Sequence, residues 1–282
     1  MQNLRILRRR IRSVQNTQKI TQAMQMVAGA KLRRSHGQLF DFKPYAERLH
    51  AITKRFLEAH PALEHPLLKE GEEGAPAGLV IMSSDTGLCG TYNERILNVA
   101  EGFLRENPSA LVVTIGKKGN RTLARRGIRR AKEILDWGGR YEPPKVAELT
   151  QWMQELYLNG AVSSWWVAYT RFFSAMRWKP VVERFLPIER PSVPGLPERM
   201  IVEPGPKPVA EELLRHFISA EFRRILLEGF TSEHSARMIA MKNATDNAAE
   251  MIQHLTLVRN KVRQAAITKE LIEVVSGAEA LK

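Results

Sequence analysis

One cysteine, Cys89, in 282 residues leaves no partner for an internal disulfide and no set of thiolates for a metal cluster. The expectation for it is a small buried side chain. No apolar run approaches the roughly 18 residues that a membrane-spanning helix needs. The N-terminal MQNLRILRRRIRS is basic but is followed by no apolar stretch, so it does not read as a secretory signal and a cytoplasmic protein is the expectation. Acid is missing from residues 1–34, which hold nine Lys or Arg. Aromatics are missing there too, which weakens a nucleic-acid reading, because single strands are held by rings interleaved with cations. Proline is missing from residues 209–276, and glycine occurs there once, as Gly229.

With nothing to break it, that last quarter reads as one helix. Pro208 sits where a helix can start, since its fixed φ suits the first turn and its missing N–H is not needed there. About 70 residues at about 1.5 Å each make a rod of roughly 100 Å, which needs a partner helix. Ala244, Ala248, Met251, Leu255, Val258, Val262 and Ala265 follow at steps of four and three, the seam of a left-handed coiled coil. The partner is at the other end of the chain. Leu4, Leu7, Ile11 and Val14 share one register. After a phase shift near Thr17 the expected seam continues through Ile20, Met24 and Val27, then Leu39, Phe42, Ala46, Leu49 and Phe56. Pro44 is expected to kink this helix, with Gly29 and Gly37 as further weak points. An antiparallel pairing puts Phe56 near Leu213 and Leu4 near Val262. The second helix then outruns the first by about 18 residues, or roughly 27 Å.

Between the helices, strands alternate with helices. GLVIMSSD at 78–85, ALVVTIG at 110–116, RGIRRAKEI at 126–134, SSWWVAYTRF at 163–172 and KPVVERFLPI at 179–188 read as strands, and 93–107, 119–126 and 143–159 as helices. The expected fold class is α/β: a long antiparallel left-handed coiled coil of the terminal helices, plus a doubly wound, mainly parallel five-stranded, Rossmann-like domain. The last two strands should pair antiparallel at an edge. The expected domains are 1–60, 75–190 and 208–282, with RPSVPGLPERMIVEPGPKP at 190–208 leading back to the rod.

A doubly wound sheet invites a nucleotide, but the first strand-to-helix turn, SSDTGLCGTYN at 83–93, is neither G-x-G-x-x-G nor G-x-x-x-x-G-K-[ST]. Gly87 and Gly90 are expected to serve a tight turn instead. Asp85 could act as an acid by position alone, yet nothing in the spacing sets a second group beside it. HPALEH at 60–65 lacks the H-E-x-x-H spacing and is broken by Pro61 and Pro66. No cofactor and no metal are expected, and the residues read as non-catalytic.

The termini and the turn carry a resemblance. IRSVQNTQKITQAMQMVAGAKLRRS at 11–35 and SEHSARMIAMKNATDNAAEMIQHLTLVRNKVRQAAITKELIEVVSGAEAL at 232–281 resemble the two ends of the γ subunit of F-type ATP synthases. The turn is similar to that family's SSDRGLCGxxN, and AYTRFFSAMRWKPVVERFLPI at 168–188 to its fifth-strand region. Thr86 stands where the family has a basic residue, and Thr91 and Tyr92 where it has a small residue and leucine. The resemblance implies a central rotor shaft whose paired helices run up a ring of α and β subunits, with the α/β domain as a foot on a ring of c subunits beside ε. It implies contacts of Met24, Arg237, Gln264, Thr268 and Glu270 with β loops, and of Ile201, Val202 and Glu203 with the c ring. It also implies a peripheral place on the cytoplasmic face of the bacterial plasma membrane, and catalysis by the other subunits.

Two other readings compete. The net charge of +13 and the basic N-terminal segment suggest a basic coiled-coil nucleic-acid-binding protein. Against it, the rod carries nine bases and eight acids over 221–282. A dinucleotide enzyme is the third reading, and it lacks a fingerprint.

Overall fold

A computed structural model describes residues 2–191 and 200–279, so part of the expected return segment 190–208 and the last three residues of the expected tip lie outside the described residues. By compactness the chain forms two units, Met1–Ala28 with Arg237–Lys282, and Gly29–Ala236. The elements in chain order are α1 (Gln2–Ala59), β1 (Ala77–Met82), α2 (Tyr92–Glu106), β2 (Leu111–Ile115), α3 (Lys117–Arg125), β3 (Lys132–Ile134), α4 (Pro143–Leu158), β4 (Ser164–Ser174), β5 (Arg177–Leu186) and α5 (Pro206–Glu279).

The 29–236 unit is built on a five-stranded sheet of order β3-β2-β1-β4-β5. β1 runs parallel to β2 and β4, β2 parallel to β3, and β4 pairs antiparallel with β5. The architecture is the expected doubly wound sheet with an antiparallel edge. Alternation along the strands sorts two cores, because successive side chains leave a strand on opposite faces. Leu79 and Ile81 of β1, Val112 of β2 and Ala168 of β4 meet Ile96, Leu97 and Ala100 of α2 and Leu123 of α3. Val80, Met82, Val113, Ile115, Trp165, Val167 and Tyr169 face the other way, onto α4, the end of α1 and Ile218–Phe230 of α5. Each such large side chain taken fully out of water contributes about 1.5–3 kcal/mol.

The lone glycine of α5 lies on this second face. A Cβ at Gly229 would come within 2.6 Å of Met82 Cε, so the helix backbone lies close against the end of the Met82 side chain. In the same unit, Phe42 packs with Ala220 and Leu227, and the ring of His50 lies 5.6 Å from that of Phe217. The two helices are antiparallel here. Pro44 does not interrupt α1, nor do Gly29 and Gly37. Pro44 is exposed, as is Phe40, whose carbonyl loses its helical partner, so water can replace the missing bond.

The other unit is a two-helix coiled coil. On α1 the buried and half-buried positions Leu4, Leu7, Ile11, Val14, Gln18, Thr21, Gln25 and Ala28 keep one unbroken heptad register, with Met24 half-buried beside it. The expected phase shift is absent, and Ile20 and Val27 are 60% and 58% exposed. Thr21 takes the seam instead. Its Oγ1 lies 2.8 Å from Thr245 Oγ1, and each hydroxyl also reaches a carbonyl of its own helix, Gln18 O and Met241 O. Paired in this way, the hydroxyls can be buried without an unsatisfied group. This pair also fixes the expected register, with Leu4 level with Val262. On α5 the inward positions include Met241, Ala244, Ala248, Ile252, Leu255, Val258 and Val262, whereas Met251 and Ala265 of the expected seam face water.

Candidate interaction surfaces

The carboxyl ends of the parallel strands are where a doubly wound sheet binds ligands, so the turn after β1 comes first. Ser83 Oγ donates to Ile115 O at 2.9 Å and accepts from Gly119 N at 2.9 Å. Asn93 Oδ1 accepts from Ser84 N at 3.0 Å, and its Nδ2 donates to Cys89 Sγ at 3.2 Å. Asp85 is no free acid. Its carboxylate accepts from Lys117 N at 3.2 Å, Asp136 N at 3.1 Å and Gly138 N at 2.8 Å. The first of these is at the start of α3, where a phosphate would otherwise find open N–H groups and the positive end of the helix dipole. Asp85 therefore ties β1, α3 and the 136–138 loop together. The tight turn is also made differently from the expected way: its positive-φ residues are Leu88 at 61° and Gly90 at 59°, and Gly87 is not among them.

Tyr92 is 1% exposed. Its hydroxyl donates to Gly229 O at 3.2 Å, and its ring meets Trp178 edge-on at 6.2 Å. Tyr92 thus joins α2 to α5. In the HPALEH segment, His65 Nδ1 accepts from Leu67 N at 3.2 Å and caps the short 3-10 helix Pro66–Leu68. Burial lowers its pKa, with Glu211 at 3.7 Å pulling the other way.

The remaining expected contact residues divide sharply by exposure. Met24 is half-buried at the edge of the seam, close in sequence to Met26 and Val27, which are 64% and 58% exposed. Arg237 is 8% exposed and offers little surface. Gln264, Thr268 and Glu270 are exposed on one stretch of α5, where Thr268 Oγ1 donates to Gln264 O at 3.0 Å. Between and beyond them, Ile267, Leu271, Ile272, Val274 and Val275 are all at least 49% exposed. Spacing alone could not find these as a surface, because an apolar helical residue is more often core. Ile201 is 90% exposed, Glu203 is exposed, and Val202 packs against the main core, so the triplet is split.

The comparisons decide the family. A sequence profile described as ATP synthase matches residues 3–281. A protein of Moorella thermoacetica named ATP synthase gamma chain is 44% identical over 284 residues, covering all of both chains. The chain belongs to the ATP synthase gamma chain family. The gamma chain of Symbiobacterium thermophilum is 38% identical over 285 residues, covering 100% of this chain and 99% of that one. Among solved structures, a chain of the Euglena gracilis mitochondrial ATP synthase (OSCP/F1/c-ring, rotational state 3) superposes with a TM-score of 0.67. It is 17% identical and covers 99% of this chain and 94% of its own. A chain of the Tetrahymena thermophila central stalk/c-ring structure gives 0.60 at 21% identity, covering 80% and 99%. At such identities the likeness speaks for the shared fold. No described helix of this gamma chain is long and apolar enough to cross a membrane.

Proposed function

We propose that this gamma chain is the central rotor shaft of an ATP synthase and has no active site of its own. Torque passes through it between a ring of c subunits and a ring of α and β subunits, coupling ion flow to ATP synthesis or hydrolysis. The observation that carries the reading is the end of α5, where five large apolar side chains stand exposed among few charges, Lys269, Glu270 and Glu273. A large exposed apolar stretch marks a contact surface. Inside an encircling ring such a surface offers contact without directional bonds that would resist turning.

Residues 1–60 and 208–282 form the shaft in this reading, and 75–190 the foot. Met24, Arg237, Gln264, Thr268 and Glu270 meet loops of β, with Arg237 presenting only a small part of its surface. Ile201 and Glu203 meet the c ring directly, and Val202 anchors them to the core. Ε is the further partner, nucleic acid is not one, and the protein sits peripherally on the cytoplasmic face of the bacterial plasma membrane. The basic first helix then faces acidic loops of β. The test is a disulfide between Met24→Cys and a cysteine in a facing loop of β in the assembled enzyme. ATP turnover should stop on oxidation and return on reduction; undiminished multi-turnover hydrolysis in the crosslinked enzyme would sink the reading.

A further inference from the structure

In the 29–236 unit, α5 meets β4 through a stripe of polar side chains set among apolar ones. Arg224, Glu228, Ser232 and Ser235 follow at steps of four, four and three, on one face of the helix. Arg224 Nη1 donates to Tyr169 Oη at 3.2 Å, and Glu228 Oε2 accepts from Phe172 N at 3.3 Å. Ser232 Oγ donates to Thr170 O at 3.1 Å, and Ser235 Oγ donates to Ala175 O. Four successive positions on the helix thus reach residues 169–175 of one strand and its turn. Arg224 is itself held by Glu221 and, at 2.6 Å, by Glu228, while Glu183 accepts from Tyr169 Oη at 2.8 Å and pairs with Arg171.

Well-packed apolar residues would hold the helix as firmly, since replacing buried ion pairs by hydrophobic groups is often neutral or stabilising. What hydrogen bonds add is direction. Apolar burial depends on area and is nearly indifferent to rotation, whereas a hydrogen bond weakens steeply below about 120°. Burial also raises the pKa of Glu228, so the carboxylate is kept here against its own preference for water.

We propose that Arg224, Glu228, Ser232 and Ser235 are positioning residues that fix the rotational setting of α5 on the sheet, so that torque crosses between foot and shaft through this polar stitch. The proposal rests on the shaft reading for its torque, and on geometry alone for its angular lock. A mere stability role would change the unfolding midpoint; a lock changes the angular spread of the folded protein.

The test places spin labels in the full chain at Met176→Cys, on the exposed turn after β4, and at Ser219→Cys, exposed on α5 within the same unit, and reads the distance distribution. Glu228→Met with Ser232→Ala and Ser235→Ala should at least double its width. Glu228→Gln, which keeps an oxygen for the Phe172 N–H, should leave the width near that of the parent. If the triple variant unfolds, the two serine changes alone should broaden the distribution by about half as much. An unchanged width in any folded variant lacking both serines overturns the lock. Failure of the shaft reading looks different: the parent chain, assembled with α and β, would not rotate although the label width still responds.

Discussion

The two units spend their apolar residues in opposite ways. In the 29–236 unit the largest side chains are enclosed, with Trp137, Trp165, Tyr92, Tyr169, Phe56 and Phe222 all at most 2% exposed. In the coiled-coil unit the buried positions are small or modest, Ile11, Ala28, Met241, Ala248 and Leu255, while Ile6, Ile20, Met26, Val27 and Leu257 face outward at 58% or more. One unit stabilises itself by burial. The other holds its helices together with a narrow seam and leaves apolar surface exposed. The coiled coil should therefore open at lower free energy than the sheet, with faster amide exchange over 4–28 and 241–262 than over 79–82 and 112–115.

Substitutions should sharpen that contrast. Trp165→Ala removes a fully enclosed ring whose Nε1 donates to Met153 O at 2.8 Å, and should cost about 3–5 kcal/mol in denaturant unfolding. No seam residue of the coil should reach that figure. Gly229→Ala brings a Cβ onto the flexible end of Met82, which must turn aside, and should cost about 1 kcal/mol, whereas alanine at a glycine of an open helix face stabilises; Gly37→Ala, with nothing within 4 Å, is the control. Thr21→Ala should cost about 1 kcal/mol, and a double-mutant cycle with Thr245→Ala should return a coupling of about 0.5–1 kcal/mol.

Acid should weaken the sheet unit through His65. Its folded pKa lies below the ordinary 6.5, so the folded state binds the proton less readily than the unfolded chain. Stability from this group is present above pH 6.5 and is lost as pH falls through 6.5 toward the lower folded value. Thermal midpoints between pH 7.5 and 5 should fall less in His65→Gln than in the parent. Smallest of all, Leu271→Ala at the exposed end of α5 should move the midpoint by no more than about 0.5 kcal/mol, yet weaken assembly with α and β in a pull-down. A large loss of stability there would break the contrast between the units.

The same contrast explains what could be read from the sequence. The sheet was legible because its alternations are answered inside the chain: Leu79 and Ile81 turn one way, Val80 and Met82 the other. The terminal helices and their antiparallel pairing were legible from period and length. The structure departs from the expected seam at Ile20, Val27 and Met251, because a periodicity count assigns apolar residues to the nearest core although these side chains are exposed. Thr21 was passed over for the complementary reason, since its burial depends on Thr245, 224 positions away. Asp85 shows the same limit, for its three donors lie 32, 51 and 53 positions down the chain. Of the expected contact residues, the family motifs pick out a stretch of α5 that is exposed, but spacing cannot separate the outward Ile201 from the inward Val202.

The most direct test of the shaft is single-molecule rotation. With α and β fixed to a surface and a bead tethered at Met176→Cys on the foot, ATP should drive stepwise rotation in one direction for many turns. Sustained ATP hydrolysis by the same assemblies with the bead stationary would contradict the account.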